Sequence, residues 1–406
     1  MTRGQYLRVI VFSLCLGSFI PTAHSQSNSV SEAKKKAIAF LVDQVGDDHL
    51  WHSEYYGNLK GGAGVSALAL YAITRCEKEH WQSHQKAMQR TIDTLGGFID
   101  KFGYAANRDG PDYSNYASSM LLIVTREADL HLSRNRRQAL IDYLLRAQLD
   151  EEEGYQPSSV DFGGWDLSGW MKGKRRTTGT NISVSASVLE ALVGELESLE
   201  KQKQSDPDDF GEDNNKRIER IRLCLQKGGK WLVRCGNPDG GFFFHPERAH
   251  AGNKAEWSNQ KKTDPNSYGS ATADGLRCMD YLGRYLELAD SEDAEKQKRS
   301  LEKRIQKTVG WLDAENQWTW VPGFRDEEKA SSWARGLKFY FWMSLSRTQK
   351  IRETRSKKTS QASAKMVAVI CESQANDGSW QNKNARMRED DPLIATSFAL
   401  IALNPQ

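Results

Sequence analysis

Apolar and polar positions alternate along this chain in blocks rather than residue by residue. Segments rich in small and apolar residues recur at Val65–Ile73, Tyr116–Val124, Ile182–Leu199, Ala271–Leu286, Trp333–Leu345 and Ile394–Leu403. Runs such as Ser66-Ala-Leu-Ala-Leu70 and Thr396-Ser-Phe-Ala-Leu400 leave few polar faces, which predicts helices buried on most sides. Between them lie amphipathic, charged segments such as Gln297–Leu312, with apolar residues at helical spacing and a Lys and Arg face. Six alternations of an exposed and a buried helix predict two concentric rings. That is an all-α (α/α)6 toroid of six helix pairs, stacked by nearest-neighbour contacts and closed on itself. An open α-solenoid is the alternative.

The joint between the helices of a pair is also repeated. Its clearest copy reads Lys365-Met-Val-Ala-Val-Ile-Cys-Glu-Ser-Gln374-Ala-Asn-Asp-Gly378-Ser-Trp380: a basic residue, an apolar helix face, a Gln, then a Gly-x-aromatic turn. Lys227-Gly228 precedes Trp231-Leu232 and Asn237-Pro-Asp-Gly240-Gly-Phe242. Tyr143-Leu144 precedes Gln148 and Gly154-Tyr155, Lys36-Ala37 precedes Gln44 and Trp51, and Lys307 precedes Trp311 and a shortened turn to Trp318. Recurrence at this scale marks a repeat architecture. The phrase resembles the QW motif of the terpenoid cyclase and protein prenyltransferase superfamily, the prenyltransferase and squalene oxidase repeat. The resemblance covers roughly 33–406; Gly236 replaces the Gln in the fourth copy, and the second, about 85–103, has drifted furthest. It implies the toroid, related to squalene cyclase C-terminal domains, but not a reaction, because one fold hosts many chemistries.

The first 25 residues read differently. Arg3 and Arg8 give a basic start, Val9–Ile20 is apolar, and Ala23-His-Ser25 is a small-x-small cleavage site before Gln26, the pattern of a secretory signal peptide. The expected organisation is a signal at 1–25 and one toroid domain at 26–406, exported to the periplasm or medium. The remaining roughly 380 residues suit six pairs of about 60 residues each. No later segment is apolar for long enough to predict an integral membrane helix. Charge is nearly balanced, Lys+Arg 56 against Asp+Glu 53, which points away from a nucleic-acid partner. Cys76, Cys224, Cys235, Cys278 and Cys371 show no CxxC spacing. They leave open both free thiols and a Cys224–Cys235 pair. Lys201–Lys216 and Lys350–Ala364 read as solvated connections between pairs.

In a toroid the sizeable cavity is the central hole, its mouth formed by corner loops. Two loops exceed what a corner needs, Gly154–Thr180 and Gly240–Ser267, and long loops in a compact domain are often functional. The first contains Asp161, Trp165, Asp166 and Trp170: carboxylates beside aromatic faces suit a cation or a sugar ring, or the tryptophans plug the pore mouth. The second contains His245, Glu247 and His250, without the register of a metal site, so solvated loop histidines are expected and no metal or cofactor. Asp264, Tyr268 and Asp274 form a third group, with Asp274 read as a helix cap or a proton donor. The candidate catalytic residues are therefore Asp161, Asp166 and Asp274. The candidate ligand-binding residues are Trp165, Trp170, Trp257 and Tyr268.

The motifs that the resemblance would imply are missing. Pro392-Leu-Ile-Ala395, not Asp-x-Asp-Asp, precedes Thr396, and the displaced Glu389-Asp390-Asp391 reads as a solvated helix entry. No cysteine has Asp two residues before it, so the prenyltransferase zinc site is unsupported, and the Gly-Cys-Gly-Glu-Gln thioester is absent. The resemblance then implies a protein binding or transforming an apolar, isoprenoid-type ligand in its central cavity. Two further readings stay open: a non-catalytic toroid that binds a ligand or protein partner, and a polysaccharide lyase using Asp161 or Asp166 beside Arg175 and Arg176.

Overall fold

A computed structural model describes residues 23–406 except 107–111, 169, 172–173, 176–178, 209, 256–263, 290, 315–319, 325–331, 357–358 and 406. Most of the expected signal segment, and Trp257 and Trp318, lie outside the described residues. So does the side chain of Trp170.

Long helices alternate as predicted. The outer ones are α1 (Ala23–Asp43), α3 (Gln85–Phe102), α5 (Arg134–Arg146), α7 (Glu212–Arg234), α9 (Glu292–Ala314) and α11 (Thr359–Glu372). The inner ones are α2 (Ala63–Thr74), α4 (Ser114–Glu127), α6 (Ile182–Ser205), α8 (Gly269–Glu287), α10 (Lys338–Ser346) and α12 (Pro392–Ala402). Every residue of α6 from Ile182 to Leu196 is buried, as is every residue of α12 from Leu393. In α7 the buried positions, Ile218, Ile221, Cys224, Leu225, Gly228, Trp231 and Leu232 among them, recur every three or four residues, a single inward stripe. Each inner helix packs on the next, and α12 packs on α2. That last contact closes the ring and excludes the open solenoid. A hairpin of Trp170–Met171 and Lys174–Arg175 is the one strand pairing among the described residues beyond isolated bridges.

The corner phrase has a common hydrogen-bond plan. Trp51, Trp165 and Trp380 donate their indole N–H to Leu41, Leu144 and Ile370 carbonyls of the preceding outer helix, at 2.6, 2.9 and 2.8 Å. Their backbone N–H groups bond to Ser66, Ser185 and Thr396, hydroxyls in the first turns of the following inner helix, and Phe242 does likewise with Thr272. Gln374 donates to the Gly378 and Ala33 carbonyls, both at 2.9 Å, and Gln148 to those of Gly163 and Cys224, also at 2.9 Å. Gly163 and Gly378 have φ of 93° and 89°, and a Cβ on either would lie 2.3 or 2.4 Å from the carbonyl oxygen of Lys227 or Lys36. Only glycine fits there.

This plan corrects one sequence assignment. The third corner is Gly163-Gly164-Trp165, not Gly154-Tyr155; residues 150–162 are an insertion between Gln148 and its glycine. The five described cysteines are free, four of them buried.

Candidate functional site

At the corner-loop end the inner ring encloses a cavity of about 280 Å3, close to the lower end of small-molecule sites, about 300–1,000 Å3. Its walls are apolar and aromatic: Val65 and Leu68 from α2, Tyr116 and Met120 from α4, Tyr340 and Met343 from α10, Ile394 and Phe398 from α12, with Leu167 and Phe244 from the long loops. Four arginines, Arg277, Arg347, Arg386 and Arg388, also line it, and among the described lining residues there is no Asp or Glu. Arg386 is exposed, so the cavity reaches solvent at this end.

Its floor is a buried charge cluster. Glu190 of α6 receives Arg75 at 3.0 Å, Arg277 at 3.3 Å and Arg347, and Tyr71 donates to it at 3.1 Å. Burial alone would raise the Glu190 carboxyl, but Arg347, Arg75 and Arg277 outweigh it and hold the group well below the usual range. Arg277 also pairs with Asp274 at 2.8 Å. Asp274 is fully buried and accepts from Tyr340 at 2.7 Å, Ser344 at 2.8 Å and Ser183 at 3.0 Å. Tyr340 and Ser183 face the cavity, so the carboxylate stands one hydrogen bond behind its wall.

Burial first, and then Asp274, pushes the Tyr340 hydroxyl well above its ordinary value. Beside the site, the Lys254 amine lies 3.3 Å from the centre of the Phe244 ring and 5.4 Å from that of Trp333. Burial pulls it down to about 7, with Asp274 opposing.

The sequence-predicted residues separate on this frame. Asp274 is the one whose hydrogen-bond partners form the cavity wall. It sits inside α8 rather than at its start, where Tyr268 is the N-cap, so the cap reading is corrected. Its described partners are all donors, which places it as an acceptor. Trp165, expected to bind ligand, is fully buried as the third corner's structural tryptophan and is not part of this cavity's lining. Asp161 accepts from the Thr180 N–H at 2.8 Å and hydroxyl at 2.5 Å and lies 3.6 Å from His245, bracing its own loop. Asp166 is buried against Asn115 of α4, one residue before the lining Leu167. Tyr268 is buried beside Phe324, also outside the lining. His245 is not solvated. It is 2% exposed and stacks on His250 at 3.8 Å, and burial and then His250 depress its imidazole to about 4.

The Glu389–Asp391 segment is not solvated either. Asp391 is buried and caps α12, accepting from Leu393 N–H at 2.9 Å. Glu389, also fully buried, accepts from the Tyr340 N–H at the start of α10 and from Asn382, both at 2.8 Å. Sequence reasoning missed Arg277, Arg347 and Glu190. Their signal was present: charged residues set among the apolar and small residues of helices fit for burial, or just past the end of one.

No family model matches the chain, and no curated protein matches it. Solved structures do. A variant of the type II terpene cyclase MstE from Scytonema, in complex with geranylgeranyl dihydroxybenzoate, is 11% identical with a TM-score of 0.54, over 94% of this chain and 98% of that one. An inactive variant of the α-1,6-mannanase GH76A of Salegentibacter sp. HEL1_6, with α-1,6-mannotriose, is 9% identical with a TM-score of 0.53, over 93% and 99%. The Lin0763 protein from Listeria innocua is 14% identical with a TM-score of 0.53, over 92% and 96%. At these identities the likeness shows the fold alone, a toroid of the terpene-cyclase-like kind.

Proposed function

We propose that this toroid binds an elongated apolar ligand of isoprenoid type in its central cavity. The observation that carries the reading is the lining: a pocket walled by Val65, Leu68, Met120, Met343, Ile394 and Phe398, interleaved with tyrosines. The resemblance of the corner phrase to the prenyltransferase and squalene oxidase repeat agrees with it, as does the ligand of MstE. Hydrolysing a glycosidic bond takes two flanking carboxylates, about 5–9.5 Å apart, and the described lining supplies none; Asp161 and Asp166, the bases of the polysaccharide lyase reading, lie outside that lining as well, which weighs against both reactions in this cavity. The wall offers hydroxyl and guanidinium groups but, among the described residues, no acid aimed into the cavity. The reading is therefore binding rather than protonation-driven cyclisation.

We further infer that binding takes place after export. The support is the basic start, the apolar run and the Ala23-x-Ser25 site, and an exported form beginning at Gln26 tests it. For the cavity, farnesol is titrated against intrinsic tryptophan fluorescence. Saturable one-to-one binding is expected, weakened at least about 10-fold by Leu68→Trp, which fills the cavity. An unsaturable signal, or one indifferent to Leu68→Trp, overturns the reading.

A further inference from the structure

Arg388 stands apart from the other arginines of the cavity. Arg277 and Arg347 are tied into carboxylates at the floor. Arg388 sits at the mouth, its guanidinium 5.1 Å from the Tyr56 ring centre and 5.1 Å from that of Tyr113. Two aromatic faces fix the plane of the group while leaving its edges to hydrogen-bond. Its Nη1 is buried and finds no acceptor among the described residues, although buried donors are nearly always paired.

The nearby carboxylates are occupied elsewhere. Asp390 accepts from the Tyr56 hydroxyl, Asp391 from the Ser53 hydroxyl at 2.5 Å and Leu393 N–H, and Asp112 from the Gly64 and Tyr113 N–H groups. The backbone of Arg388 is left-handed, with φ of 60°, a conformation that costs a non-glycine residue free energy and clusters at functional sites. A strained backbone thus holds a stacked cation, without an ion-pair partner among the described residues, against an apolar cavity.

We propose that Arg388 receives an oxyanion head group, carboxylate or phosphate, of an amphipathic ligand whose apolar chain fills the cavity; the proposal rests on the binding reading above. The guanidinium fork matches either group in two parallel hydrogen bonds, and the exposed Arg386 beside it adds positive charge at the mouth. The head group would sit at the solvent end, with the chain running down toward Tyr71.

The test is calorimetric titration of the purified protein with farnesol, farnesoic acid and farnesyl monophosphate, which share a chain and differ in head group. At least one anion is expected to bind about 10-fold or more tighter than the alcohol, and the order of the two identifies the head group. Arg388→Met and Arg388→Gly should cut the anion's advantage over farnesol, measured on the same variant, to less than about 3-fold; the glycine variant suits the left-handed backbone, so it guards against misfolding. Equal binding of acid, phosphate and alcohol overturns the proposal but leaves the binding reading standing. So does an anion preference that survives both variants, or an equal loss of all three ligands. Absence of saturable binding by any of the three overturns the binding reading and the proposal together.

Discussion

Trp165 and Arg388 both lie in corner segments that lead into inner helices, and both are flanked by aromatic or apolar groups. At Trp165 the indole N–H, the backbone N–H and the nearby Gln148 amide all have carbonyl or hydroxyl partners. Around the cavity, Nη1 of Arg388 and Nε of Arg277 and Arg347 are buried without an acceptor among the described residues. The hydrogen bonds of the corner tryptophans and glutamines are complete without any ligand, and the plan recurs around the ring. The cavity wall is unrepeated and incomplete. That difference separates residues that hold the toroid from those proposed to meet a ligand.

The largest effects should come from the corners. Trp165→Ala and Trp380→Ala are each expected to cost about 3–5 kcal/mol, because both remove a fully buried tryptophan from equivalent sites. Paired denaturant melts check this. A Trp165 variant of near wild-type stability that loses farnesol binding would break the comparison and return that residue to the ligand.

The floor of the cavity should rank close behind. Glu190→Gln leaves Arg75, Arg277 and Arg347 facing one another without their shared carboxylate, a loss of about 3–5 kcal/mol by analogy with broken buried pairs. Thermal melts at neutral pH read it; a variant as stable as the parent would show that solvent or a counter-ion already neutralises the cluster.

A third effect depends on pH. Burial pushes the Glu389 carboxyl up to about 7 from the ordinary 4.5, against the Tyr340 N–H and Asn382 that favour its charged form. The folded chain therefore holds a proton that the unfolded chain releases, and this group's contribution falls as pH rises through that window. Glu389→Gln lacks the penalty, so its stability relative to the parent should climb from pH 5 to pH 8 by up to about 3 kcal/mol. Any fixed cost of the amide does not vary with pH. A flat difference would mean that Glu389 ionises normally in the fold.

The smallest effect sharpens the wall. Tyr340→Phe deletes one of the four hydrogen bonds to Asp274 and should cost roughly 1 kcal/mol. Because Tyr340 lines the cavity, farnesol affinity should shift measurably in calorimetry while that of the corner variants, corrected for unfolding, does not.

Much of the ring was readable. The predicted Ile394–Leu403 is the helix Pro392–Ala402, and Val65–Ile73 lies within Ala63–Thr74, because helices buried all round carry an unbroken apolar signature. The fifth inner segment was drawn too simply: Trp333–Leu345 divides into Ser332–Gly336 and α10. The third corner was misplaced because an insertion brought Gly154-Tyr155, a local copy of the phrase, ahead of the glycine that Gln148 reaches. The Gly-x-Trp spacing of Gly163–Trp165, shared with Gly378–Trp380, was the better guide. The cavity was readable only as a location. Glu190, Arg277 and Arg347 come from three helices and meet through ring closure, which no local pattern encodes. Arg388 carried no cue at all, since a left-handed arginine looks like any other in a charged stretch.

The bonds from Gln374 to Ala33 and the seating of Gly378 on Lys36 have a topological consequence. They make the join between the last pair and the first the same kind of joint as the others, except that no peptide crosses it. The first and last pairs thus meet at a seam in a circle rather than standing as the two ends of a stack. Neither terminal pair needs the polar outer face that caps an open array. A permuted chain, with the old termini bridged and new ones cut in the exposed 201–208 stretch, should rebuild the same ring. Conversely, a nascent chain cannot seal the circle until Pro392–Ala402 has been made, so the cavity forms only after every helix that lines it.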